Sequence, residues 1–227
     1  MPGESLTFAL PKGRILGAAV DLLRAAGIDP GSLGAARDRR LLIDLPGGER
    51  ALLVKPSDVP TYVEHGVADL GIAGSDTLRE QDRDLYEPVD LGIGACRLAV
   101  AEPVDRPARL RRGMRLRVAT KYPNLALRHY RSKGISPEII PLHGSVELGP
   151  ITGLADQIVD LVESGETLRQ NRLVEVETVM HVSSRLIVHP ASLKLEPRAV
   201  ARVIDALRSV VQDVAANTQP RKAVGGP

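Results

Sequence analysis

Cysteine and aromatic residues are nearly missing from this 227-residue chain. Cys96 is the single cysteine, which excludes a disulfide framework and a thiolate-built zinc site. Trp is absent, Phe8 stands alone and there are four Tyr, too few to build platforms for stacking nucleic-acid bases. The core must therefore be packed from Leu, Val, Ile and Ala. Charge of one sign is missing too: 30 Lys and Arg face 28 Asp and Glu, and a net +2 gives no argument for a nucleic-acid partner. Apolar runs of about eighteen residues, the length of a membrane-spanning helix, do not occur. Residues 1–5 show no basic segment leading into an apolar one, the pattern of a secretion signal. The expectation is a cytoplasmic protein with no membrane and no nucleic acid among its partners. What is present, 43% hydrophobic and 26% charged residues, suits a globular chain of one large or two small domains.

Leu6 to Leu10 is a short apolar run of the kind that forms a buried strand, and Pro11-Lys12-Gly13-Arg14 breaks it. Ile15, Ala18, Ala19, Leu22 and Leu23 then recur at helical spacing up to Gly27. Residues 41–45 and 51–54 read as a hairpin across Pro46-Gly47-Gly48, 58–66 as a helix and 68–73 as a buried strand. A second series follows: strands at 96–101 and 115–119, a helix at 124–133, a strand at 138–142, a helix at 151–157 and a strand at 158–162. Strands at 174–178 and 185–188 precede an amphipathic helix at 197–216, with Val200, Val203, Ile204 and Leu207 on one stripe. The tail 217–227 reads as disordered. This alternation predicts an α/β protein with mainly parallel sheets. Two lobes are expected, 1–91 joined with 184–227 and 92–183, with hinges near 92 and 183.

Three segments carry chemistry. An apolar strand runs into Glu163-Ser164-Gly165-Glu166-Thr167, whose hydroxyls and successive N–H groups suit a phosphate, helped by a following helical turn. An ordinary turn would use the same residues. Asp160 favours the phosphate reading, because a charge inside an apolar strand is costly without a task. Asp156 and Glu147 lie nearby in sequence, and carboxylates beside an anion loop suit ribose hydroxyls or magnesium. Secondly, Pro11-Lys12-Gly13-Arg14 sits at the carboxyl end of a strand, where open α/β sheets bind ligands. Its point charge and fork suit polyphosphate, although a solvated basic loop has the same composition. Thirdly, Asp69-Leu70-Gly71-Ile72-Ala73-Gly74-Ser75-Asp76 offers glycines for close approach of a flat ligand, or simply a turn. Arg106, Arg109, Arg111, Arg112, Arg115 and Arg117 read as solvated surface, and the five His show no ligand spacing.

Taken together, these segments resemble the ATP phosphoribosyltransferases that open histidine biosynthesis. The likeness runs from Leu6 to about Val211 and includes Ala9-Leu-Pro-Lys-Gly-Arg14, the stretch Asp58 to Ile72, and Ala119-Thr-Lys-Tyr-Pro-Asn124. Its most specific part is Glu147 through Leu168, with Gly153, Asp156, Asp160, Ser164-Gly165 and Thr167-Leu168 at the family's spacing. The resemblance implies a two-lobed, periplasmic-binding-protein-like (type II) fold with a cleft between the lobes. It implies a glycosyltransferase that joins N1 of ATP to C1 of phosphoribosyl pyrophosphate, giving phosphoribosyl-ATP and pyrophosphate, with Mg2+ held mainly through the pyrophosphate. By the same resemblance, Lys12, Arg14, Lys55 and Asp160 are catalytic. Glu147, Asp156, Asp160, Ser164, Gly165, Glu166 and Thr167 bind phosphoribosyl pyrophosphate. Leu10, Arg14, Gly71, Gly74, Asp76 and Cys96 bind ATP. Lys55 stands where Arg is expected, so Arg39 or Arg40, reaching across a dimer, is the alternative clamp. The length matches the short form of the family, a homodimer when alone and dependent on a histidyl-tRNA-synthetase-like regulatory subunit in an allosteric hetero-oligomer. Two rivals are a binding protein of the same fold without chemistry, and a phosphoribosyltransferase acting on a free base.

Overall fold

The computed structural model describes residues 5–33, 40–108 and 115–218. In chain order the elements are β1 (Thr7–Pro11), α1 (Arg14–Ala25), β2 (Leu42–Asp44), β3 (Arg50–Val54), α2 (Val59–Glu64), β4 (Leu70–Gly74), α3 (Ser75–Gln81) and β5 (Tyr86–Asp90). There follow β6 (Cys96–Pro103), β7 (Arg117–Thr120), α4 (Pro123–Ser132), β8 (Glu138–Pro141), α5 (Leu148–Ile151) and β9 (Gln157–Val162). The chain continues through α6 (Glu166–Gln170), β10 (Leu173–Val182), β11 (Ser184–Val188), α7 (Ser192–Leu195) and α8 (Pro197–Thr218). The expected tail lies outside the described residues from 219 onward, and α8 extends through Thr218. No helix among the described residues is long and apolar enough to cross a membrane.

Two compact units emerge. The first comprises 1–74, 83–94 and 184–227, and the second 75–82 and 95–183. The short helix α3 thus groups with the second unit, a crossing that the strand-and-helix pattern did not contain.

The first unit is built on a six-stranded sheet in the order β2-β3-β1-β4-β11-β5. Parallel pairing is confined to β1 with β3 and β1 with β4, while β2, β11 and β5 join antiparallel. Phe8, Leu10, Ile72 and Leu186 are buried in this sheet, with Leu23 of α1 and Val200 and Leu207 of α8 in the same core. Each such side chain contributes roughly 1.5–3 kcal/mol relative to exposure, which is what holds the amphipathic helices down. The β2–β3 hairpin forms as expected, closed by Leu45 N–H to Glu49 O at 2.7 Å with Gly48 at φ 95°. Strand β5 has no counterpart in the sequence reading because Pro88 interrupts it. It is tolerated because β5 is the edge strand, and its register with β11 shifts at that point.

In the second unit the order is β10-β6-β9-β7-β8. Strands β7, β8 and β9 run parallel; β6 runs against them, and β10, antiparallel to β6, runs with them. Both sheets are therefore mixed, which corrects the expectation of mainly parallel ones: in the second unit β6 lies between β9 and β10 and runs against both. Alternation along β6 sends Leu98 and Val100 into a cluster with Leu125, Ala126 and Tyr130 of α4. Ala99 and Ala101 go to the other face, with Ala119, Ile158, Val146 and Leu168. The helix expected at 151–157 is displaced: α5 ends at Ile151, and Gly153 at φ 76° turns the chain toward β9.

Candidate active site

In the second unit, β7, β8 and β9 deliver their carboxyl ends together, the place where such sheets bind ligands. The last residue of β7 in register is Thr120, opposite Val159, so Asp160 stands just past the end of that neighbour. It is half-buried, and its Oδ1 accepts a hydrogen bond from Leu161 N–H at 2.8 Å. Burial pushes its carboxyl above the usual range; Glu147 pushes it the same way, and Lys121 opposes. Glu147 precedes α5, and α5 lies close on the sheet because Gly149 has no side chain. A Cβ there would meet Ala119 Cβ at 2.9 Å.

Beyond β9 the chain passes through Glu163 and Ser164 to Gly165 at φ 76°, a left-handed position that glycine fills without strain, and enters α6. Ser164 Oγ accepts Glu166 N–H at 3.3 Å. Thr167 is held through its carbonyl by the Asn171 amide at 2.9 Å, and its side chain is exposed. The Glu166 carboxylate is engaged by Arg169 and Gln170, whose hydrogen bonds hold it below the usual carboxylate range. Structure thus brings Glu147, Asp160, Ser164, Gly165 and Thr167 to one end of the sheet, with Glu166 turned to its own helix.

Asp156 is not among them. It precedes β9 at the opposite end, where Arg117 NH2 donates to Oδ1 at 2.8 Å and Arg117 Nε and backbone N–H donate to Oδ2 at 3.2 and 2.9 Å. Both oxygens are spent on holding β7 to the start of β9, which corrects its assignment to the ribose. The Arg117 guanidinium holds the Asp156 carboxyl below its ordinary value. The folded state then binds fewer protons than the unfolded one, so this stabilisation is present above the unfolded pKa of about 4 and fades as pH falls through the lower folded value. Asp156→Asn should lower the melting temperature at pH 7 and lessen the further fall on acidification; equal melting curves across that pH range would remove the pair from the stability account.

Tyr122, Thr120 and Lys121 had no role in the sequence reading. Thr120 is fully buried; its hydroxyl donates to Val159 O at 2.6 Å and accepts Tyr122 N–H at 2.8 Å. That bridge sets Tyr122, whose hydroxyl donates to Asp76 Oδ2 at 2.8 Å. Burial raises the Tyr122 phenol well above its ordinary value, with the charges of Asp76 and Asp160 adding to the effect. Asp76 is accordingly a buried partner of Tyr122 in α3, and Glu80 of the same helix accepts Asn124 and Leu125 N–H at 2.9 Å, capping α4. Cys96 opens β6 half-buried beside this cluster. The Ala-Thr-Lys-Tyr-Pro-Asn stretch was the signal that could have found these residues.

In the first unit, Pro11 pairs with Val54, so Lys12 and Lys55 follow adjacent parallel strands, about 5 Å apart at the backbone. Lys12 N–H donates to Val54 O at 2.8 Å, and both side chains are exposed. Gly13, at φ 92° and ψ −145°, turns the chain so that Arg14 opens α1. Gly74 ends β4 at the same side of the sheet. Two expected ATP contacts fail here. Leu10 is fully buried in the core, and Gly71 is covered by α2. Arg40 Nη2 donates to Ser32 Oγ at 3.4 Å, and Arg39, like Arg109, Arg111 and Arg112, lies outside the described residues. Arg106 and Arg117 of that basic cluster are tied to Pro150 O and Asp156.

Among the described residues no three His, Cys, Asp or Glu side chains group as a metal cage. The Glu147–Asp160 pair offers two carboxylates to a hard cation that brings most of its own oxygen ligands.

Comparison with known proteins accounts for this arrangement. The ATP phosphoribosyltransferase family model matches residues 55–209. The chain is similar to an ATP phosphoribosyltransferase of Anaeromyxobacter dehalogenans, 51% identical over 96% of this chain and 100% of that one. One from Anoxybacillus flavithermus is 49% identical over 94% and 99%. Among solved structures it is similar to the ATP phosphoribosyl transferase (HisG:HisZ) complex from Thermotoga maritima, at TM-score 0.79 and 35% identity over 92% and 99%. The substrate binding protein of an amino acid ABC transporter shares the fold alone, with TM-score 0.58 and 11% identity over 94% of each chain. With its periplasmic-binding-protein-like fold and a match spanning both units, the chain belongs to the ATP phosphoribosyltransferase family.

Proposed function

We propose that this chain catalyses the first step of histidine biosynthesis, with residues at the carboxyl ends of the parallel strands of each unit taking part. Adenine N1 of ATP already has a free lone pair at neutral pH, so no strong base is needed. N1 bonds to ribose C1 as the bond from C1 to the pyrophosphate oxygen breaks, with inversion. Holding the reactants in line and stabilising the departing charge are the protein's tasks. Lys12, Arg14 and Lys55 serve the phosphates, three cations around one end of the first sheet. The N–H groups and hydroxyls of Ser164 to Thr167 bind the 5-phosphate, and Glu147 and Asp160 accept hydrogen bonds from the ribose hydroxyls. Magnesium would arrive with the pyrophosphate, near Glu147 and Asp160, and would supply neutralising charge. Gly74, Asp76 and Cys96 border the nucleotide.

The observation that carries this reading is the placement of Asp160, close enough to Glu147 to feel its charge, two residues before the end of the strand that leads into the Ser164–Thr167 loop. Mixing the chain with ATP, phosphoribosyl pyrophosphate and magnesium should yield phosphoribosyl-ATP; no product would defeat the proposal. Thr167→Val removes one hydroxyl and keeps the shape, so affinity for phosphoribosyl pyrophosphate should fall by roughly 1–3 kcal/mol. Unchanged affinity in calorimetry would take Thr167 out of the site.

The chain works in the cytoplasm, forms a homodimer alone, and assembles with a histidyl-tRNA-synthetase-like regulatory subunit; the HisG:HisZ complex from Thermotoga maritima supports the last of these. Histidine inhibition requires a second site that biases a two-state element. The chain alone should respond poorly to histidine and gain strong inhibition when the partner is added. Full inhibition by micromolar histidine with no second polypeptide would sink this.

A further inference from the structure

The second unit holds a cavity of about 330 Å³ at the other end of its sheet from Asp160. Strands β6 and β9 are antiparallel with Ala101 opposite Ile158, so Pro103, in the cavity wall, lies toward the start of β9. Arg106 and Arg172 are both in the lining, and neither forms an ion pair with a carboxylate among the described residues. Arg106 spends one N–H on Pro150 O at 3.0 Å. Arg172 is held at φ 54°, a left-handed backbone that an Arg adopts at a cost. Asp105 is the one carboxylate in the lining. Asp156 feels Arg106 from farther off, with its own oxygens already taken by Arg117. Pro150 and Ile151, the latter 46% exposed, supply an apolar wall.

We propose that this cavity binds a small organic monocarboxylate with an apolar body, and that filling it steadies α6 and the loop in front of it. Two guanidinium groups against one carboxylate leave a single positive charge to be matched, and Arg forks fit a carboxylate bidentately. The apolar wall receives the body of such a molecule, in the manner of small-molecule pockets of this size. The coupling runs through two lining residues. Gln170 Nε2 donates to Glu166 Oε1 at 2.9 Å, and Asn171 Nδ2 donates to Thr167 O at 2.9 Å. Both tie the cavity wall to the first turn of α6, so an occupant that fixes Gln170 and Asn171 also fixes Glu166 and Thr167. This coupling rests on the assignment of the Ser164–Thr167 loop to the 5-phosphate.

Benzoate serves as the probe, with benzyl alcohol as its uncharged counterpart, followed by saturation-transfer NMR on the full chain. Benzoate should bind and benzyl alcohol should not. Arg106→Ala and Arg172→Asn should each weaken benzoate by about tenfold or more, as loss of a charge-assisted pair does. Asn is chosen because it accepts the left-handed backbone, and circular dichroism checks that both variants fold. Benzoate should also lower the KM for phosphoribosyl pyrophosphate in the wild type and not in either variant. Absent binding, or binding unchanged in both folded variants, overturns the site. Binding with an unmoved KM overturns the coupling and upholds the site. A chain that makes no phosphoribosyl-ATP under any condition defeats the proposed activity, while the binding result stands by itself.

Discussion

Asp160→Asn should lower turnover by about a hundredfold, the effect of losing roughly 3 kcal/mol of charge-assisted hydrogen bonding to the ribose, and leave the protein folded. The reasoning joins position to energetics. Asp160 lies past the end of β7 at the carboxyl end of the sheet, half-buried, with Glu147 as a like charge nearby. Its carboxyl is raised, so the folded state binds more protons than the unfolded one as pH crosses between the two pKa values. Stability then falls as pH rises through that window, and at pH 7 the ionised side chain costs the fold free energy. Asn removes that cost and keeps an acceptor for Leu161 N–H. The melting temperature of the variant at pH 7 should therefore hold or rise while kcat collapses. A melting temperature that drops in step with kcat would make Asp160 structural, and full activity would remove it from the mechanism.

Gly71→Ala should lower the melting temperature by several degrees, from about 1–3 kcal/mol of overpacking, with the KM for ATP unchanged in the folded enzyme. A Cβ at this position would meet Val63 Cγ2 at 2.8 Å, Val59 Cγ1 at 2.9 Å and Ala9 O at 3.3 Å. The first two are stiff β-branched side chains of α2 and the third is backbone, so little can yield. Glycine is needed here so that α2 can lie against β4. A variant with normal thermal stability and a raised KM for ATP would restore Gly71 to the nucleotide site.

Sequence by itself determined what depends on residues close along the chain. The apolar run of β1, the Lys12-Gly13-Arg14 turn, the hairpin across Pro46-Gly47-Gly48, the strand-to-loop passage from β9 into α6 and the stripe of α8 all follow from periodicity and turn chemistry. These act over a few residues and leave their mark in composition. The charge of Asp160 inside an apolar strand was legible for the same reason.

Tertiary structure alone decided which of those residues meet. Asp156 and Asp160 look like neighbours in sequence, yet four residues of extended chain carry them about 13 Å apart, one just before β9 and the other past the end of its neighbour β7. One is consumed by Arg117 and the other stands just past the last paired residue of β7. Tyr122 and Asp76 are 46 residues apart and share a buried hydrogen bond, a pairing set by how α3 packs with the start of α4. Gly71 reads like a ligand-approach glycine until α2 is seen covering it. Strand β5 was hidden by Pro88, whose acceptance depends on β5 having only one neighbour. In each case the deciding quantity is a register, a strand order or a helix contact. Such quantities are fixed by the burial of the whole core, and no local window of sequence contains them.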